Sequence, residues 1–225
     1  MAEPASATQP SVADAQSAIA SRVAELREQA ASDPVEARDA AWSWFEQLGE
    51  EAGRDREAGT AALTELFSLG IPPAGIDGRT EGILVAPLIA SPIDRAMRAI
   101  ERVVGLPWLG KRFDADANRG DNVLRQSARI PAKLFWPLYS TRPLGDDRSA
   151  FDFETRVEPS EDDSSVDVLV IDYVVVDSNP RFVIKRIRDE LVEIVPGANL
   201  GKVLWRHGDG SYALIGYFAL RSPAQ

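Results

Sequence analysis

The chain has no cysteine and only one histidine. Without cysteine there is no disulfide, no thiol nucleophile, no thiolate zinc site and no iron–sulfur cluster. That absence fits a reducing, cytoplasmic setting. The lone imidazole, His207, excludes any site built from two, and its surroundings, Arg206-His207-Gly208-Asp209-Gly210, read as an exposed hairpin tip. No Gly-x-Ser-x-Gly elbow announces a serine hydrolase. Gly110-Lys111 is followed by Arg112 rather than Ser or Thr, so it does not complete a phosphate loop. No apolar run approaches the roughly 20 residues of a membrane span, and Met1–Pro10 lacks the basic and apolar regions of a secretory signal. Positive charge is also scarce: 25 Lys and Arg stand against 35 Asp and Glu, a net charge of -10. Residues 1–70 hold 13 acids against 5 arginines, whereas the remainder is nearly balanced, with 22 acids against 20 bases. No basic stripe of the kind that binds phosphate backbones stands out, which argues against nucleic acid as a partner.

What is present divides into two grammars. Residues 1–10 are small, polar and Pro-containing and read as a disordered tail; residues 11–70 read as helical. Ser11 caps an Ala-rich run to Ala30 with a thin apolar stripe of Ile19, Val23 and Leu26. Asp33-Pro34-Val35-Glu36 is a second helix start, with an acidic N-cap and Pro at the first position. Trp42, Phe45 and Leu48 follow on one face, and Gly49 is placed to end it. A third helix is expected from about Arg54 to Leu69, ended by Gly70 and Pro72-Pro73.

From residue 71 onward strand patterns dominate. Strands are expected at Thr80–Ala86, Trp108–Phe113, Arg129–Trp136, Phe151–Glu158, Val166–Val176, Arg186–Val195, Leu200–Arg206 and Ser211–Leu220. The last two form a hairpin across His207–Gly210. One inserted helix, about residues 92–104, follows Ser91-Pro92. Asp114 to Asn122 reads as a polar loop. Its alternating acids suggest a calcium site only superficially: the glycine falls at position seven and Arg125 stands at position twelve, so no metal is expected. About eight mostly antiparallel strands suffice to close a barrel that fills itself or holds one small ligand. The expected fold is therefore α+β: a mainly antiparallel β-barrel of calycin or lipocalin-like type over residues 71–225, with the helical segment 11–70 packed on it.

Three stretches resemble bacterial proteins named after a GXWXG motif, together with their partner domain of unknown function. Leu66-Phe67, Pro72-Pro73 and Gly78-Arg79-Thr80-Glu81-Gly82 have the motif's layout, with Thr80 where the family has tryptophan. Trp108-Leu109-Gly110-Lys111-Arg112-Phe113-Asp114 is similar to the family's Trp-aromatic-Gly-Lys-Arg-Phe segment, with Leu109 for the aromatic. Val183 to Gly201, with Tyr217-Phe218, is similar to the partner domain's last strands. The resemblance spans residues 66–220. It implies a lipocalin-like barrel for a fatty acid or another apolar molecule and no particular reaction.

The candidate site residues are polar groups on apolar strands. Asp172 shares a strand face with Val166, Val168, Val170 and Val174. If that face is interior, Asp172 is a buried carboxylate, a ligand anchor or a general base. If not, it belongs to an ion pair with Arg186 or Arg188, or its face simply reaches solvent. Lys111 has the parity of Phe113 and the opposite parity to Trp108, so if Phe113 faces inward Lys111 does too and Trp108 faces outward; the other reading is a solvated or snorkelling lysine. Inside, Lys111 would meet a ligand carboxylate. Trp136, Trp205, Tyr212 and Tyr217 read as core or wall. The leading expectation is an intracellular binding protein for a small apolar or amphipathic, fatty-acid-like ligand, with no cofactor, held by Lys111, Phe113, Trp136, Asp172, Arg186, Arg188 and Tyr217. Two others stand beside it: a barrel enzyme of isomerase or cyclase type with Asp172 as base and Tyr173 or Tyr217 as donor, and an interaction module whose acidic helices dock a basic partner.

Overall fold

A computed structural model describes residues 12–88 and 107–223. The expected tail, residues 1–10, and the expected helix, about 92–104, lie outside the described residues. Three helices come first: α1 (Val12–Ser32), α2 (Pro34–Arg54) and α3 (Arg56–Ser68). The side chains of Asp33 and Asp55 accept the backbone N–H groups of Glu36 and Ala58, capping α2 and α3. Gly49 does not end α2, which continues to Arg54. The glycine serves packing instead. A Cβ there would lie 2.5 Å from the Val85 carbonyl oxygen, so its absence lets the helix settle on the sheet.

The strands are β1 (Gly78–Arg79), β2 (Glu81–Pro87), β3 (Trp108–Asp114), β4 (Arg119–Arg125), β5 (Arg142–Leu144), β6 (Asp147–Pro159), β7 (Asp167–Asp172), β8 (Ile187–Val195), β9 (Ala198–Arg206) and β10 (Tyr212–Arg221). A fourth described helix, α4 (Arg129–Phe135), lies between β4 and β5. All pairings are antiparallel, in the order β1-β3-β4-β6-β7-β8-β9-β10-β2, with β5 outside this path on β6. These nine strands form a nearly closed barrel. Only Thr80 separates β1 from β2, so one stretch of chain pairs with β3 on one side and β10 on the other. The buried Thr80 makes the seam: its N–H and hydroxyl donate to the Lys111 carbonyl at 2.8 and 2.9 Å. Gly110, at φ 134°, permits the approach, since a Cβ would stand 2.2 Å from the Thr80 oxygen.

Strand alternation assigns the two faces of the wall. Val168 and Val170 of β7, Val192 and Ile194 of β8, Leu200 of β9 and Tyr217 and Ala219 of β10 point outward, into a core shared with Leu26, Phe45, Leu63, Leu66 and Phe67 of the helices. Leu169, Ile171, Leu191, Phe153 and Phe218 point inward with Phe113. Fully burying each large apolar side chain contributes about 1.5–3 kcal/mol, so the helices are bound to the barrel by several such terms. No described helix is long and apolar enough to cross a membrane.

Three expected elements differ. The strand expected at Arg129–Trp136 is instead the helix Arg129–Phe135, with Trp136 as its C-cap. Ile130, Ala132, Leu134 and Trp136 alternate with the period of a strand, but Ile130 and Leu134 are exposed while Ala132 and Trp136 are buried, two i,i+4 pairs on different helical faces. Pro131 sits in the first turn, where its missing N–H leaves no hydrogen bond unmade. The polar loop 114–122 is only a short turn. β4 begins at Arg119 and pairs with both β3 and β6. The strand expected at Val166–Val176 stops at Asp172, whose carboxylate turns back to accept the Val174 N–H at 2.8 Å.

Candidate functional site

A cavity of about 500 Å³ lies inside the barrel. Its wall is mostly apolar and includes Ile83 and Leu84 of β2, Trp108 of β3, Leu124 of β4, Phe151 of β6, Val203 of β9 and Phe218 of β10. That volume falls in the range of small-molecule sites. Four polar side chains also line it: Lys111, Asn122, Tyr173 and Asp189.

Each of the four comes from a different part of the barrel. Lys111 and Asn122 face each other across the β3–β4 pair. Tyr173 continues the inward face of β7 just beyond its end, and Asp189 stands on the inward face of β8, two residues before Leu191. All are buried, Lys111 to 2 % exposure and Asp189 to 4 %. The Lys111 Nζ donates to Asn122 Oδ1 at 3.0 Å, to the Tyr173 hydroxyl at 2.5 Å and to Asp189 Oδ2 at 2.8 Å. An ammonium has three N–H groups, and all three are placed. The Tyr173 hydroxyl donates to Asp189 Oδ2 at 2.8 Å and accepts from Asn122 Nδ2 at 3.2 Å. Asn122 Nδ2 also donates to the Phe151 carbonyl, and Asn122 Oδ1 accepts from the Trp108 indole at 3.1 Å. One polar atom of the cluster is left: Asp189 Oδ1 is buried and has no hydrogen-bond partner among the described residues.

Rings complete the enclosure. Trp108, Phe153, Tyr173 and Phe218 stand 5.2–5.7 Å from the Lys111 Nζ. Such contacts with a desolvated cation are worth up to about 2 kcal/mol each. Burial pulls the Lys111 amine below its ordinary value, with the Asp189 carboxylate acting against that shift. Burial and the same carboxylate push the Tyr173 phenol well above its ordinary value, so it remains a neutral donor.

Lys111 and Phe113 face inward together, as their shared parity requires. Phe113 packs on Phe153 at 5.4 Å, away from the cavity wall. Trp108 faces inward as well, contrary to its parity. The β3–β4 register shifts between Trp108 and Gly110, and this bulge turns both Trp108 and Lys111 to the same side. Trp136 is buried edge-on against Phe151 at 5.2 Å, behind the wall. The other four candidates are not in the cavity. Asp172 shares the outward face of Val168 and Val170 and pairs with Arg156 at 2.8 Å, not with Arg186 or Arg188. Arg188 is also outward, bound to Glu190, Glu158 and Glu161. Arg186 lies over the Trp205 ring. Tyr217 faces α3, its hydroxyl 2.8 Å from Thr64 Oγ1.

Sequence patterning singles out neither Asn122 nor Asp189. Asn122 lies in the stretch 114–122, whose polar composition suggests a loop. Asp189 follows Ile187 and precedes Leu191 at spacing two, and that acid on an apolar face was the available signal. Among the described residues no group of three or more His, Asp or Glu side chains converges as a metal site.

No known protein family matches the chain, and no curated protein matches it. Among solved structures, the crystal structure of a protein from Thermomonospora curvata aligns with 79% of this chain and 99% of its own, at 16% identity and a TM-score of 0.42.

Proposed function

We propose that the barrel is a binding protein for one small, mainly apolar molecule held in the cavity beside Lys111, Tyr173 and Asp189. The observation that carries this reading is an apolar cavity of about 500 Å³ around a buried, hydrogen-bonded polar cluster. The two stretches that resemble the GXWXG proteins, 78–82 and 108–114, lie against each other at the barrel seam beside this cavity.

The cluster also bears on the ligand's polar end. A fatty-acid carboxylate would need donors, but every Lys111 N–H is engaged, and the ligand would face the Asp189 charge. The ligand class favoured is thus an apolar molecule without an anionic head group.

The test is native mass spectrometry beside an organic extract of the purified protein, followed by titration of long-chain alcohols, their methyl ethers and the matching acids. Retention of one apolar species, with alcohol and ether bound ahead of acid, is the expected result. Val203→Trp adds bulk to the wall, narrows the cavity and weakens binding. Failure of all three series to bind, with no difference between wild type and Val203→Trp, overturns the proposal.

Asp189 also supports a second reading, acid–base catalysis. Its carboxylate belongs to a residue lining the apolar cavity, with a neutral tyrosine beside it. Deuterium taken from D2O into a bound ligand, and lost in Asp189→Asn, would support this. Retained ligand that never exchanges would exclude it.

A further inference from the structure

The end of the barrel carrying α4 has an unusual surface. Ile130, Leu134 and Leu138 are 79%, 76% and 102% exposed, and Phe182 is 61% exposed. Ile130 and Leu134 share one face of α4. The Trp136 indole N–H donates to the Phe182 carbonyl at 3.1 Å, which joins α4 to the turn bearing Phe182. Large side chains so exposed are ordinary singly, but four on two segments joined through Trp136 make this end of the barrel rich in exposed apolar surface.

The charge around them is equally distinctive. The chain carries -10, yet residues 122–145 contain four bases and no acid, and residues 178–188 contain four bases and no acid. Arg129, Lys133, Arg181 and Arg186 are exposed, and none forms a salt bridge among the described residues. Lys133 reaches only the Tyr139 carbonyl and Ser140 hydroxyl at 3.4 Å. The excess acid of the chain lies largely in the helical segment, which covers the outer wall of β8–β10. Exposed aliphatic and aromatic tips interleaved with unpaired cations complement a surface that is apolar below and anionic above. A nucleic acid would use the cations but leave the aliphatic tips unsatisfied.

We propose that this end of the barrel docks on an anionic lipid bilayer, with α4 and the Phe182 turn inserted at the headgroup level. Docking there would bring Phe151 and Ile184, which line the cavity, to the lipid side: Trp136 of the α4 segment packs on Phe151, and Ile184 is two residues from Phe182. The proposal stands independently of which ligand the cavity takes.

Vesicle flotation tests it. The full chain is mixed with vesicles of phosphatidylcholine alone or of phosphatidylcholine with phosphatidylglycerol, at low and high salt. Binding is expected to the anionic vesicles and to weaken with salt. Lys133→Gln is expected to weaken it roughly fivefold, as for one cation near an anionic surface, and Leu134→Ser/Leu138→Ser by roughly tenfold or more. These side chains are exposed, so both variants keep the wild-type melting curve. Equal binding to both vesicle types, or full binding by the Leu134→Ser/Leu138→Ser variant, overturns the proposal. So does retention by a single-stranded oligonucleotide but not by vesicles.

Discussion

Replacing Lys111 with Met tests the polar cluster most directly. Methionine nearly matches the lysine stem but removes all three N–H donors. Asp189 is then left 4 % exposed with only the Tyr173 hydroxyl as a partner, its other oxygen already without one. Breaking one side of a buried pair costs about 3–5 kcal/mol. For a chain of this size each kcal/mol is about 2–4 °C in Tm, so a fall of roughly 6–20 °C is expected. The double variant Lys111→Met/Asp189→Leu removes the stranded charge and loses less than Lys111→Met alone, since Tyr173 keeps its bond from Asn122. Urea unfolding followed by circular dichroism measures all three. A loss below about 1 kcal/mol for Lys111→Met would falsify the account of a buried, mutually dependent pair.

Tyr217, pushed up to about 12 mainly by burial, has a second signature. Its folded value lies above its unfolded one, so the unfolded chain ionises first. The phenol's contribution is full below pH 10 and is lost as pH rises towards 12, at up to about 1.4 kcal/mol per pH unit. Tyr217→Phe loses the Thr64 bond, about 0.5–1.5 kcal/mol, and declines less steeply across that alkaline window. An unchanged slope in alkaline urea titrations would remove this argument. Gly49→Ala is expected to destabilise by about 1–3 kcal/mol through its contact with the Val85 carbonyl, although alanine is the better helix former by about 1 kcal/mol. A rise in Tm would show that α2 does not sit against β2 as closely as described.

Much of the fold was legible because period and burial agree. The Trp42, Phe45 and Leu48 spacing and the runs at 186–195 and 211–220 form the elements their patterns predict. The failures have local causes. Ile130-Pro131-Ala132-Lys133-Leu134 satisfies both a strand and a helical spacing, and only tertiary burial separates them. β4 opens with Arg119, Gly120 and Asp121, residues no propensity assigns to a strand, and its neighbours' ladders impose the conformation. The site was half legible. Parity placed Lys111 with Phe113, but which face of β7 is interior depends on where the helices pack. They cover the Val168–Val170 side, so Asp172 is outside and Tyr173 inside. Trp108 turned inward through a bulge that parity cannot anticipate.

The pairing of β2 with β10 has a consequence during synthesis. Glu81 binds Arg221, 140 residues later in the chain, and the apolar faces of the helices meet partners on β8–β10. Those helices therefore emerge from the ribosome well before the surface they cover exists. Long-range closure of this kind slows folding and leaves greasy segments open to misassociation. The dense acidity of the first 70 residues would keep such nascent chains apart by mutual repulsion until the last strand arrives.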